Sequence, residues 1–225
     1  MSLDTEEQVR QTWGSHIPLT TAVMRVLKPR SVLECGCGNY STPILQESPD
    51  LLTVEHDPVW AEATKQKYPP KGRHEWRVFP VPAWNSTRRS ELTPESLRNF
   101  ENLYQGLSDE FWKSGRRFGL LFVDTFSAAR VPAAITLSPF ADMFIIHDTE
   151  PGSWEYYDWN LLKGNISGFQ AYRFAPEGVI NFAHRLPHTM LFSRRLLDVG
   201  ALQPEIDKEA SLLWGATFPL ERIPW

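Results

Sequence analysis

Cysteine is almost missing from this chain: of 225 residues only Cys35 and Cys37 carry a thiol. That excludes a disulfide framework and a cysteine zinc site, and a bridge across a single intervening residue would be strained. No apolar run reaches the roughly 20 residues that a membrane-spanning helix needs, so none is expected. A block of lysine or arginine is also lacking. The 23 basic and 27 acidic residues leave a net charge of −4 at pH 7, which argues against bulk binding of nucleic acid. Met1-Ser2-Leu3-Asp4 has no signal-peptide pattern, so the expectation is a soluble, cytoplasmic protein. Neither a repeat nor a domain-splitting linker is visible. A single domain over residues 1–225 follows, long enough to bury a sizeable core. Oligomeric state is not readable.

What is plentiful is tryptophan, at nine residues, and proline, at 18. Tryptophan suggests core and helix packing, and proline suggests structured loops. Residues 17–28 read as a helix feeding a strand at 31–35, with a second strand at 51–55. His74-Glu75-Trp76-Arg77-Val78-Phe79-Pro80 alternates and reads as the third. Phe118–Val123 and Asp142–Ile146 are continuous apolar runs, as in parallel strands covered on both faces. Phe169–Phe174 and Thr189–Ser193 complete seven strands. The predicted class is α/β, a Rossmann-like, mostly parallel sheet with helices on both faces. Residues 84–117 are a helical insertion between strands three and four. Thr93-Pro94-Glu95 starts its helix, Leu97, Phe100, Leu103, Tyr104 and Leu107 form its stripe, and Gly106 reads as its stop.

The chemistry concentrates at Ser31-Val32-Leu33-Glu34-Cys35-Gly36-Cys37-Gly38-Asn39-Tyr40-Ser41, a strand, a glycine turn and the approach to a helix. Such a unit holds nucleoside-bearing cofactors in open α/β sheets. A dinucleotide site uses G-x-G-x-x-G to seat a pyrophosphate. Here the third glycine position is Ser41, and Glu34 would repel a pyrophosphate while suiting the ammonium of a methionyl group. This favours S-adenosylmethionine over NAD, with Glu34, Gly36, Cys37, Gly38, Asn39 and Ser41 around it. The plain alternative is a tight turn in a domain that binds nothing. Glu55 ends the second strand where an acid pairs with ribose hydroxyls. Asp57-Pro58 reads as a helix cap, and Thr42-Pro43 as another. Trp84, after the third strand, is the candidate for stacking on adenine.

The segments Val32–Gly38, Val54-Glu55-His56-Asp57, Leu121-Phe122-Val123-Asp124 and Ile145-Ile146-His147-Asp148-Thr149 resemble successive motifs of the Rossmann-like class I S-adenosylmethionine-dependent methyltransferases. The resemblance spans residues 16–195. It implies a sheet whose last strand pair is reversed, and it adds His56 to the cofactor residues. It also implies O-methylation of a sugar or a small hydroxylated metabolite, the small-molecule partner.

Catalytic candidates are Asp124, His147 and Asp148, ionisable groups placed directly after buried strands, where burial tunes acidity. His147 is a candidate base. The plain roles are turn and helix caps for the two aspartates and a backbone-bonded core position for His147. Asp124 and Asp148, with His147 or Thr149, resemble in position the ligands of Mg-dependent O-methyltransferases, so Mg or another divalent cation is a candidate. Arg130 is either a clamp for a charged acceptor group or an exposed helix residue. In Thr149–Trp159, a cap at Ser153 would send Trp154, Tyr157 and Leu161 inward, leaving Tyr156 and Trp159 for the substrate. Two other functions fit the same motifs: an aminopropyl transferase of the spermidine synthase kind, and a non-catalytic cofactor-binding module.

Overall fold

The computed structural model describes residues 10–11, 13–81, 93–150, 157–181 and 184–225. Strands β1 (Ser31–Cys35), β2 (Asp50–Glu55), β3 (Arg73–Val78), β4 (Phe118–Val123) and β5 (Ala141–His147) come first. After them lie β6 (Gln170–Phe174), the short pair β7 (Ile180–Asn181) and β8 (His184–Arg185), then β9 (Thr189–Ser193) and β10 (Leu220–Ile223). The helices are α1 (Ile17–Ala22), α2 (Thr42–Leu45), α3 (Pro58–Lys67), α4 (Pro94–Ser114), α5 (Ser127–Leu137), α6 (Trp159–Asn165) and α7 (Val199–Trp214).

The main sheet has eight strands, in the order β10-β6-β9-β5-β4-β1-β2-β3. Its left half corrects the expected count of seven. Leu220-Glu221-Arg222-Ile223 is too short, and too charged on its open side, to show in the sequence, yet it pairs antiparallel with β6. The reversed strands are β9, antiparallel to both β5 and β6, and β10 at the edge. On the other side, β1 pairs in parallel with both β2 and β4. Chain order reverses there, and the crevice at the carboxyl ends of such strands is where open α/β sheets bind ligands.

Both faces of the sheet are covered, which is why β4 and β5 are apolar throughout. On one face Leu33, Leu121 and Phe144 pack beneath Phe100, Tyr104 and Phe111 of α4, Ala134 of α5 and Trp159 of α6. On the other, Val32, Phe122 and Ile145 meet Leu19 of α1 and Leu202 and Ile206 of α7. Among the described residues no helix is long and apolar enough to cross a membrane.

Local chemistry sets several boundaries. Asp57 caps α3, its carboxylate accepting from the N–H groups of Val59 and Trp60. Thr93 caps α4 through the Ser96 N–H. That helix runs past Gly106 to Gly115, which takes the left-handed conformation with φ 68°. Gly106 was the expected stop, but the apolar stripe continues to Phe111, and packing outweighs one glycine's weak propensity. At α2 the cap is Ser41 rather than Thr42. The helix after residue 16 becomes π-helical over Val23–Leu27 and ends at left-handed Lys28. Trp84 and Tyr156 lie outside the described residues, as do Ser153 and Trp154.

Gly36 is the glycine the fold depends on. Its φ is +88°, and a Cβ there would stand 2.5 Å from the carbonyl oxygen of Asp124 and from Thr125 Cα. At Gly38 a Cβ would meet only Ser41 Oγ, at 3.3 Å. Gly36→Ala is therefore expected to cost about 2–4 kcal/mol of folding stability, and Gly38→Ala about 1 kcal/mol or less. Chemical denaturation of the two variants measures the difference.

Candidate active site

Beneath the glycine turn lies Glu34, fully buried. Its carboxylate accepts from the hydroxyls of Ser41 (2.8 Å), Thr42 (2.9 Å) and Thr53 (2.8 Å). These bonds hold the glycine turn from below. Burial pushes its pKa up to about 7, against the pull of those three hydroxyls. Ser41 likewise turns its Oγ to Glu34 while its residue still borders the cleft above.

Glu55 closes the turn from the side. Its carboxylate accepts from the backbone N–H groups of Cys37 (2.9 Å), His56 (2.7 Å) and Asp57 (2.9 Å). Burial opposes the charge, but His56 and these N–H donors outweigh it and hold the pKa below the usual value. Glu55, the sequence candidate for the ribose, ends β2 with its oxygens engaged by backbone. His56 packs its ring against Phe100 at 5.3 Å and Phe126 at 6.1 Å. The thiols of Cys35 and Cys37 are free and buried, and burial raises both pKa values.

Two clefts open over this floor. The first, about 310 Å³, is bordered by the turn residues Cys37 to Ser41 and by Asp124, Arg130, His147 and Asp148. The second, about 300 Å³, is bordered by Gly36, Glu55, His56, Asp57, Thr125 and Phe126. Cys37, Trp60 and Asp124 border both. Trp60 is fixed between them by donating its indole N–H to the Cys37 carbonyl at 2.7 Å.

The strand-end acids converge on Arg130. Its guanidinium reaches Asp124 Oδ1 at 2.7 Å and Asp148 Oδ2 at 2.5 Å, and donates to the carbonyls of Thr125 and His147. Tyr157 donates its hydroxyl to Asp148 at 2.9 Å, and its ring lies 5.0 Å from the guanidinium carbon. Asp148 adopts φ 59°, a left-handed backbone that is uncommon outside glycine. Burial works against charge on both aspartates, and Arg130 outweighs it, so each pKa lies below the ordinary carboxylate range. Arg130 is accordingly neither an exposed helix residue nor a free clamp. The interval between the two acids, expected to suit a divalent cation, is taken by the Arg130 guanidinium.

His147 sits under the same acids, Nδ1 being 3.3 Å from Asp124 Oδ1 and 3.4 Å from Asp148 Oδ1. Its Nε2 meets Ser15 Oγ at 2.7 Å. Burial lowers its pKa, but Asp148 and Asp124 outweigh this and raise it. Both flanking carboxylates favour the protonated ring, so His147 is placed as a charge partner of Asp124 and Asp148. Trp159 is 1% exposed and belongs to the core, whereas Leu161 is exposed. Trp159 and Leu161 thus exchange the expected places, while Tyr157 packs against the core as expected.

Trp13, His16, Trp60, Thr125, Phe126 and Tyr157 border or bond into the site and were not among the sequence candidates. Tyr157 had been assigned to the core, and Trp13 and His16 precede the first predicted helix. His16 is 2% exposed and borders the first cleft, with its ring centroid 4.7 Å from that of His147. Burial and the charge of His147 push its pKa down to about 3. Donor atoms of His16, Asp124 and His147 lie within 4.8 Å of one another. The only sequence signal was Gly14-Ser15-His16 just before an apolar helix.

No protein-family model matches the sequence, and no curated protein sequence does. Solved structures do resemble the chain. A methyltransferase-like protein from Silicibacter pomeroyi is 15% identical, over 92% of this chain and 94% of that one, at a TM-score of 0.47. The N-methyltransferase NodS from Bradyrhizobium japonicum is 10% identical, over 84% and 97%, at 0.48. Spermidine synthase, in complex with the transition state analogue AdoDATO, is 12% identical, over 91% and 65%, at 0.51. At such identities the likeness concerns the fold. The chain has a Rossmann-like α/β fold, similar in architecture to that of the spermidine synthase structure.

The buried acid gives a pH test. The folded pKa of Glu34, about 7, is above its ordinary 4.5. The folded chain therefore holds a proton that the unfolded chain releases, and stability present below pH 4.5 is lost as pH rises toward 7. Relative to wild type, Glu34→Gln should gain on the order of 2–3 kcal/mol across that interval. Urea unfolding at a series of pH values measures it, and a pH-independent difference would mean that Glu34 is ionised throughout.

Proposed function

We propose that the chain binds S-adenosylmethionine and transfers its methyl group to the oxygen of a small hydroxylated acceptor. The observation that carries this reading is the meeting of two clefts over Cys37, Trp60 and Asp124, at the carboxyl ends of β1, β2 and β4. The second cleft, with Glu55, His56 and Phe126, would take the nucleoside. The first would take the methionyl end along Cys37 to Ser41 and the acceptor beyond it. Bound there, the sulfonium supplies an activated methyl group.

The chain's own part is to place and surround the reactants. Asp124 borders both clefts and presents negative charge where a sulfonium would lie. Arg130 keeps Asp124 and Asp148 ionised, and Tyr157 fixes the second of them. His147 completes the charge balance under the acceptor side. Trp60 stands at the junction with a pinned ring and limits access of water.

Aminopropyl transfer is the less favoured reading. Its acceptor is a cationic amine, which would meet Arg130 in place of unpaired carboxylates. A non-catalytic binding module remains an outcome of the test.

Calorimetry should show S-adenosylhomocysteine binding with no binding of NAD. Asp124→Asn should weaken S-adenosylmethionine by about 1–3 kcal/mol and S-adenosylhomocysteine, which lacks the sulfonium charge, by less. Methyl transfer, assayed with radiolabelled cofactor over a panel of hydroxylated acceptors, should persist in chelator. Binding without transfer would make the chain a cofactor-binding module. Loss of transfer in chelator with recovery on adding Mg would restore the metal reading.

A further inference from the structure

We infer that Trp13, His16 and Trp60 form the acceptor subsite, and that it takes a neutral, flat hydroxylated ring whose hydroxyl pairs with the His16 imidazole. This rests on reading the first cleft as the transfer cleft. His16 belongs to the floor of that cleft, against Phe122 at 5.3 Å and His147 at 4.7 Å between ring centroids. Neither of its ring nitrogens has a hydrogen-bond partner among the described residues, and both lie just beneath the cleft surface, so a hydroxyl reaches them once the ring tilts toward the cleft. Buried polar groups are nearly always bonded, so an imidazole with both nitrogens unspent, one donor and one acceptor when neutral, requires an explanation. A hydroxyl group both donates and accepts, and so matches either nitrogen.

The walls of the same cleft supply the ring preference. Trp13 is 62% exposed and Trp60 41% exposed, large apolar surfaces left open on a chain that buries Trp159 to 1%. The Trp60 ring is held by its bond to the Cys37 carbonyl, so its orientation is set before a ligand arrives. Fixed indole faces favour flat rings.

Charge supplies the third restriction. Asp124 and Asp148 are both paired with Arg130, and His147 lies between the two acids. An anionic acceptor would face two carboxylates, and a cationic one would face a guanidinium and an imidazole with no unpaired acid among the described residues. A neutral acceptor meets neither penalty.

Phenol is the probe, with benzoate and benzylamine as charged rings of the same size and methyl glucoside as a puckered polyol. The full chain is titrated with and without S-adenosylhomocysteine, following tryptophan fluorescence and the nitrogen NMR signals of the His16 ring. Phenol should bind best of the four, quench fluorescence and shift the His16 nitrogens. Trp13→Ala and Trp60→Ala should each weaken phenol about 3–10-fold. His16→Ala should weaken it about 5–10-fold, with S-adenosylhomocysteine affinity changed less than about 2-fold. His16→Gln, which retains a polar group, and the exposed Trp13→Ala decide the matter if His16→Ala melts before it can be titrated.

The proposal is overturned if phenol binds His16→Ala or Trp13→Ala as tightly as wild type, or if benzoate or benzylamine binds better than phenol. It also falls if zinc alone, and not phenol, moves the His16 signals, since the imidazole would then belong to a cation site. Phenol binding that depends on His16 in a chain that ignores S-adenosylhomocysteine would support the subsite and remove the methyl-transfer reading.

Discussion

Arg130 bridging Asp124 and Asp148 is the interaction on which the rest of the site depends. It joins the carboxyl ends of β4 and β5, two adjacent strands whose last side chains would otherwise present like charges to each other. Burying one such carboxylate is costly, and burying two side by side more so. The guanidinium offsets that cost with planar, charge-assisted bonds. It also uses its remaining N–H groups on the Thr125 and His147 carbonyls, so little of it is left for a ligand. The left-handed backbone at Asp148 belongs to the same arrangement, since it brings the carboxylate onto both Arg130 and Tyr157.

A second, drier arrangement supports the first from below. Glu34 ties Ser41, Thr42 and Thr53 together under the glycine turn, and Gly36 brings that turn into contact with the backbone of Asp124 and Thr125. The position of Asp124 is thus fixed from two directions, by the turn on one side and Arg130 on the other. The site's acids stand at the sheet ends, and sites built on strands and helices hold their geometry well.

The fold was legible in the sequence where the physics is local. Continuous apolar strands, the Asp57-Pro58 cap and the paired glycines all gave their elements directly. The edge strand at Leu220–Ile223 was not legible, because two charged residues on a four-residue strand leave no period to detect. Gly106 misled for a related reason: propensity at one residue says little against a stripe that runs on to Phe111. In the site, the acids at the ends of β2, β4 and β5 were visible from position alone. Their partners were not. Arg130 is six residues from Asp124 in sequence, and only the helix α5 turns it back. His16 and Trp13 reach the cleft through a tertiary packing that no spacing encodes, and Trp159 was lost to the core.

Anomalous diffraction from crystals grown with S-adenosylhomocysteine and manganese tests the central claim most directly. The account predicts the nucleoside in the cleft beside Glu55 and Phe126, Arg130 still bridging Asp124 and Asp148, and no manganese signal between the two acids. A manganese peak there, with Arg130 turned away, would contradict it.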